Sequence, residues 1–358
     1  MQQKLETTLA DLVAIPSTSD NTEECEKAID YAYQRLLPLG LHIERDTYNT
    51  KSPWLLATTQ GTKTPDILLA AHLDVVPGQI EQYTLKKQDG KLVGRGVYDM
   101  KLAAACYLEL FETHIEKLRT KNIGILLTTD EETGGNCMPS ILEKGLRPGI
   151  VFIPDGGDDW HIEEMAKGFY GIELTAEGRW AHGSRPWEGD NALERLINAI
   201  GEIRHYYPSD DPMGSTLVVS SLHSGQAVNQ VPNHAEGKLD FRSFSIEECN
   251  TFMTRLTRAA ELHGVEIRII HSGSPVAFDK HHPAAQSFLR ALEQTTKKPA
   301  AYKPSFGGSD ARYFAALSIP SIICEPTGGG RHADDEWLLQ DDLSRYYGLI
   351  EHWLLQNS

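Results

Sequence analysis

Residues 67–74 read Ile67-Leu68-Leu69-Ala70-Ala71-His72-Leu73-Asp74. Five apolar residues in succession, without polar alternation, predict a strand buried on both faces, and such strands belong to parallel sheets covered by helices. Three further short runs have the same character: Ile123 to Leu127, Val151 to Ile153 and Ser321 to Cys324. Polar residues follow each of them: Asp130-Glu131-Glu132, Pro154-Asp155 and Glu325-Pro326. Functional groups in open α/β sheets collect just beyond the carboxyl ends of the strands. Helical patterns fill the intervals, one from Asn21 to Leu37 stopped by Pro38 and another from Met100 to Phe111. The expected fold class is α/β, a mostly parallel central sheet with flanking helices.

The middle of the chain has a different grain. Tyr170 to Thr175, Ser215 to Ser221, Ala235 to Phe241 and Val265 to Ile270 are β-like, with helical patterns at Asn191 to Ile203 and Ile246 to Leu262. In the first of these helices Leu193, Leu196, Ile197 and Ile200 are expected to share a face. Strand, helix, strand, strand, helix, strand predicts a small α+β domain inserted into the larger one. The expected division is residues 1–167 and 277–358 for the first and last parts of the α/β domain, and 168–276 for the insert.

Bulk properties exclude several function classes. With 34 basic and 50 acidic side chains the net charge is −16, and a surface this acidic repels polyphosphates, so no nucleic-acid partner is expected. The five cysteines are odd in number and form no C-x-x-C, which speaks against a disulfide framework or a structural zinc knuckle. The opening segment, MQQKLETTLADLVAIPS, is an amphipathic helix rather than a signal peptide, and no run approaches 18 apolar residues. No membrane association and a cytoplasmic location are expected. A serine hydrolase is disfavoured because no Gly-x-Ser-x-Gly frame occurs.

The strand ends carry the chemistry. His72 and Asp74 point the same way under period-two alternation, so His72 can bind a metal while Asp74 accepts from its other ring nitrogen. Asp99 follows a glycine-containing turn, Gly94-Arg95-Gly96-Val97-Tyr98, and feeds a helix. Asp130, Glu131 and Glu132 are consecutive carboxylates closed by Thr133-Gly134-Gly135, and such a density of like charge destabilises the fold unless a cation neutralises it. Asp155 adds a further carboxylate, and His332 lies in Gly328-Gly329-Gly330-Arg331-His332-Ala333-Asp334-Asp335-Glu336. Imidazole and carboxylate donors without a cysteine suit a pair of borderline divalent ions, zinc first. One extra carboxylate is then needed to shuttle a proton. The residues alone leave open which of the paired glutamates does so.

His72-x-Asp74, Gly96-x-x-Asp99-Met100-Lys101, Asp130-Glu131-Glu132-x-Gly134, Asp155 and His332 together resemble the M20 family of dinuclear zinc peptidases and deacylases, in order and interval and over the full length. The resemblance implies two Zn2+ ions, with Co2+ or Mn2+ as substitutes. It implies that Asp99 bridges them, with a cis peptide to Met100. His72 and Asp155 would complete one site, and Glu132 and His332 the other. Glu131 would be the general base, attack coming from a water between the ions, and Asp74 would orient His72. The insert resembles that family's lid and dimerisation domain. Gly178-Arg179-Trp180-Ala181-His182-Gly183-Ser184-Arg185-Pro186 matches its histidine motif, which implies a homodimer in which His182 reaches the partner's active site and stabilises the oxyanion. Asn229, Arg242 and Arg312 are the candidate substrate-binding residues, the two arginines as bidentate clamps for a substrate carboxylate.

Two departures from the family's pattern stand out. Leu102-Ala103 replaces a common Gly-Gly after Met-Lys, and Asp155 stands where the family's deacylases carry Glu within Glu-Pro-Thr. The second tilts the expected function toward hydrolysis of the amide bond of a small peptide, as a dipeptidase or exopeptidase. The alternative is an N-acyl amino acid deacylase.

Overall fold

The computed structural model describes residues 1–46, 51–208 and 210–356. The chain divides into two compact units, one of Met1–Glu164, Ala277–Ser305 and Ser309–Ser358, the other of Met165–Val276 with Phe306–Gly308.

The first unit is built on a six-stranded sheet in the order His42–Asp46, Trp54–Thr58, Ile123–Thr128, Ile67–His72, Ile150–Phe152, Ser321–Ile322. The last four strands are mutually parallel and the first two are antiparallel additions at one edge. That edge pair goes beyond the strands expected from the sequence. Trp54–Thr58 is buried throughout and His42–Asp46 is the half-exposed outer strand. Trp54-Leu55-Leu56-Ala57 is itself an unbroken apolar run, whereas His42–Asp46 is mostly polar. The helices Gln2–Val13, Thr22–Leu36, Lys101–Leu118, Pro283–Thr296 and Gln340–Gln356 belong to this unit. Asn21 caps the second of these by accepting from the Glu24 amide.

Leu102 and Ala103, which replace the two glycines, are fully buried. Their side chains stabilise the first turn of Lys101–Leu118 by packing as well as by lower backbone entropy. Lys101 itself is fully buried, and its ammonium donates to the carbonyls of Leu12 and Ile15 at 3.0 and 2.8 Å. It thereby satisfies acceptors at the C-terminal end of the first helix, where positive charge is favoured.

The second unit is a four-stranded antiparallel sheet in the order Thr216–Ser224, His234–Ser243, Gly168–Glu177, Val265–Gly273. Its core draws Ile172, Leu174, Leu239 and Phe241 from the sheet, and Leu196, Ile203, Phe252 and Leu256 from the helices Ala192–Arg204 and Ile246–His263. The Phe241 and Phe252 rings stack with centroids 3.9 Å apart. One expected core position is corrected here: Ile197 is 49% exposed. The buried stripe is Ala192, Leu196, Ala199, Ile200 and Ile203, and Ile197 lies about 100° from Leu196 around the helix, at the stripe's margin.

No helix among the described residues is long and apolar enough to cross a membrane. All five cysteines are buried and none forms a disulfide.

Candidate metal centre

Register places the centre. His72 ends its strand opposite Thr128 of the neighbouring parallel strand, so Glu131 and Glu132, three and four residues further on, leave the sheet beside it. Asp155 follows the strand on the other side. The Asp99 carboxylate stands between two imidazoles: its Oδ1 is 3.1 Å from His72 Nε2 and its Oδ2 is 3.4 Å from His332 Nε2. His332 Nε2 is also 3.0 Å from Glu132 Oε2. Ligand atoms of His72, Glu131 and Asp155 lie within 4.8 Å of one another, and so do those of Asp99, Glu132 and His332. The Asp99–Met100 peptide is cis.

The surrounding residues fix these side chains. His72 is buried and its Nδ1 donates to the backbone carbonyl of Asp74 at 3.0 Å, with the Asp74 carboxylate farther away at 3.5 Å. The carboxylate, fully buried, accepts instead from the Ser19 hydroxyl at 2.7 Å and from the amides of Glu131 and Glu132 at 3.3 and 3.0 Å. Asp74 therefore orients the glutamate pair through its side chain and His72 chiefly through its backbone. Asp130 turns away from the cluster. It accepts from the Cys137 amide at 2.9 Å and so serves the start of the helix Cys137–Glu143.

Glu336 is a contributor that no motif in the sequence marks. It is 1% exposed, accepts from the amides of Gly96, Tyr98 and Asp99 at 2.9, 2.9 and 3.0 Å, and pairs with Arg95 at 3.2 Å. One carboxylate thus holds the whole turn that presents Asp99. The only sequence signal was an acidic residue four positions after His332. Arg331 is a second such contributor. It pairs with the fully buried Glu325, and its NH1 stands 3.7 Å from Asp155 Oδ1. The Gly328-Gly329-Gly330 run has a steric cause, since a Cβ on Gly328 would fall 2.2 Å from the Tyr98 ring.

The electrostatics divide the carboxylates. Burial raises the Asp99 carboxyl, but hydrogen bonds to His332 and His72 outweigh that and hold it well below its usual range. Burial, with repulsion from Asp155 and Asp310, pushes Glu131 well above the usual carboxylate range. Burial pushes Glu132 up to about 7 and raises Asp155, which Asp99 repels. Burial opposes protonation of His72, yet Asp74 and Asp99 raise its pKa. Glu131, Glu132 and Asp155 are therefore resisted in their charged forms by the protein alone. Divalent cations reverse that balance, and the donor set of imidazole nitrogens and carboxylate oxygens fits borderline ions. A small cavity of about 10 Å³ borders the cluster, lined by His72, Glu131, Asp155 and Asp310 and by the apolar Met100, Met138 and Phe314.

His182, exposed, pairs in a two-stranded ladder with Gln230, and the Gly183 amide donates to the Asn229 carbonyl at 2.7 Å. This brings His182 and Asn229 onto adjacent strands of one loop cluster. The Ser184 amide donates to His182 Nδ1 at 3.2 Å. An N–H can only donate, so the neutral ring carries its proton on Nε2. Arg242 donates to Asp240 from Nε and Nη2 at 2.9 and 3.2 Å, and from Nη1 to the Phe306 carbonyl at 3.2 Å. Arg312 is buried beside Glu131.

A cluster of imidazoles and carboxylates, part of it at the ends of parallel strands and with one aspartate between two histidines, could hold metal ions. Residues 68–356 match peptidase family M20/M25/M40, and the chain belongs to that family of metal-dependent hydrolases. It is 24% identical to the succinyl-diaminopimelate desuccinylase of Delftia acidovorans, with 93% of this chain and 92% of that protein covered. It is 28% identical to the acetylornithine deacetylase of Edwardsiella ictaluri, covering 78% and 80%. In fold it is similar to the crystal structure of a tripeptidase from Staphylococcus aureus, with a TM-score of 0.80 at 21% identity, covering 100% and 98%.

Proposed function

We propose that the chain hydrolyses the amide bond of a small peptide, using two divalent ions, zinc first, with Glu131 as general base. The observation that carries this reading is the Asp99 carboxylate, each of whose oxygens faces a different histidine. Asp99 would bridge the ions, with His72 and Asp155 holding one and Glu132 and His332 the other. When bound, the ions supply Lewis acidity, making a water acidic enough to attack and drawing charge from the amide carbonyl. Glu131 takes the proton from the attacking water and delivers it to the departing amine. Asp74 holds the backbone of both glutamates in place during this transfer. Asp155, rather than the glutamate of the deacylases, supports a peptide substrate.

The second reading, hydrolysis of an N-acyl amino acid, is supported by the similarity to a desuccinylase and a deacetylase. Zinc-loaded enzyme tested on dipeptides and tripeptides against N-acetyl and N-succinyl amino acids separates them. The highest kcat/KM is expected among the peptides, and a clear preference for the acylated amino acids would establish the second reading instead. Metal analysis of the same preparation is expected to give two ions per chain, and a single ion would overturn the dinuclear site.

The reading extends to a homodimer formed through the second unit, in which His182 acts in the partner's active site. The exposed ring with its proton on Nε2 suits a donor to an oxyanion. Mixed dimers of inactive His182→Ala and inactive Glu131→Ala chains are expected to regain activity, because one of their two sites is whole. Subunit exchange without any recovery would rule out sharing.

A further inference from the structure

Arg312 stands in the sequence as a clamp for a substrate carboxylate, yet its surroundings give it other work. The residue is 6% exposed. Its NH2 donates to the Gly134 carbonyl at 2.8 Å and lies 3.7 Å from Asp310 Oδ1, while NH1 lies 3.8 Å from Glu131 Oε1. The guanidinium sits over the Tyr313 ring, 4.6 Å from its centroid. The Tyr313 hydroxyl donates to the same Gly134 carbonyl. Asp310 is pressed against the next residue, since a Cβ on Gly135 would fall 2.2 Å from its Oδ1. Gly134 and Gly135 both have positive φ, 106° and 61°, and their amides close the turn on the carbonyls of Glu131 and Asp130 at 2.8 and 2.7 Å. Side chains from residues 310–313 therefore grip the turn that follows Glu131 at several points.

We propose that Arg312 is a positioning residue for Glu131, and not a clamp for the substrate's carboxylate. The inference rests on the reading of Glu131 as general base. Glu131 is surrounded by the carboxylates of Asp155 and Asp310, both of which repel its charge, and by the opposing charge of Arg312. A planar fork can serve the Gly134 carbonyl with one prong and face Glu131 with the other, which a lysine's single ammonium cannot do. A base displaced by about 1 Å loses on the order of 10²-fold in rate.

The test uses zinc-loaded enzyme carrying Arg312→Gln, with Arg312→Lys as the variant that keeps the buried charge should the first misfold. Each is assayed on a peptide and on the matching peptide amide, and product binding is measured by calorimetry. For Arg312→Gln, kcat is expected to fall on the order of 10²-fold on both substrates, with KM, product affinity and zinc content retained. Arg312→Lys is expected to recover part of the loss. Adding Arg312→Gln to Glu131→Gln is expected to cost nothing further, because residues acting as one unit are not additive. A loss confined to the substrate with the free carboxylate, together with weaker product binding, would overturn the proposal in favour of a clamp. An undiminished further loss on the Glu131→Gln background would overturn it too. Near-normal turnover of Glu131→Gln alone would instead reject the base assignment on which the proposal rests.

Discussion

Glu131→Gln is expected to lower kcat by about 10²–10⁴-fold, the range that a positioned general acid–base contributes, while the protein keeps its fold and both metal ions. Glutamine preserves the shape of the side chain and removes its ability to accept and return a proton. The neighbouring Glu132→Gln is expected to lose metal as well as activity, because Glu132 stands against His332 and Asp99. Glu131 also lies within ligand distance of His72 and Asp155, so proximity does not separate base from ligand. Metal analysis of the two variants does. Zinc retained in Glu131→Gln and lost in Glu132→Gln assigns the roles as proposed, and the reverse pattern would exchange them.

Glu336→Ala is expected to be the most destabilising substitution near the site. It removes the acceptor for three backbone amides and the partner of Arg95, which is itself 2% exposed. Stranding a buried charge costs about 3–5 kcal/mol, and unsatisfied buried amides add to that. Urea unfolding of the metal-free protein reads this loss directly. Zinc affinity should fall with it, because the turn that presents Asp99 loses its anchor. Glu336→Gln keeps one acceptor oxygen and should fall between the two. Equal stability of Glu336→Ala and the unmodified chain would show that water can take over all three bonds.

Much of the fold was legible along the chain. The parallel strands announce themselves as apolar runs, because a strand covered on both faces is lined mostly by apolar side chains. The insert shows itself where the pattern changes to alternation and its two helices turn one face inward, as at Leu196, Ile200 and Ile203. The antiparallel edge pair was not legible. It depends on hydrogen bonding between His42–Asp46 and Trp54–Thr58, and although Trp54–Ala57 is an apolar run, nothing in it encodes which strand it pairs with or in which direction.

The site divides in the same way. His72, Asp99, Glu131, Glu132, Asp155 and His332 could be named as candidates from motifs, strand ends and the family resemblance, and the structure gathers them into two groups. What each does to its neighbours could not be named in that way. The Asp74 carboxylate serves the amides of Glu131 and Glu132, Glu336 reaches back some 240 residues to hold the Asp99 turn, and Arg312 is buried against Gly134. The sequence by itself determined which side chains are candidates to bind a cation or move a proton. Only the tertiary structure decided which buried side chains hold those atoms in place, because such bonds join segments far apart in the chain and depend on burial that no local pattern encodes.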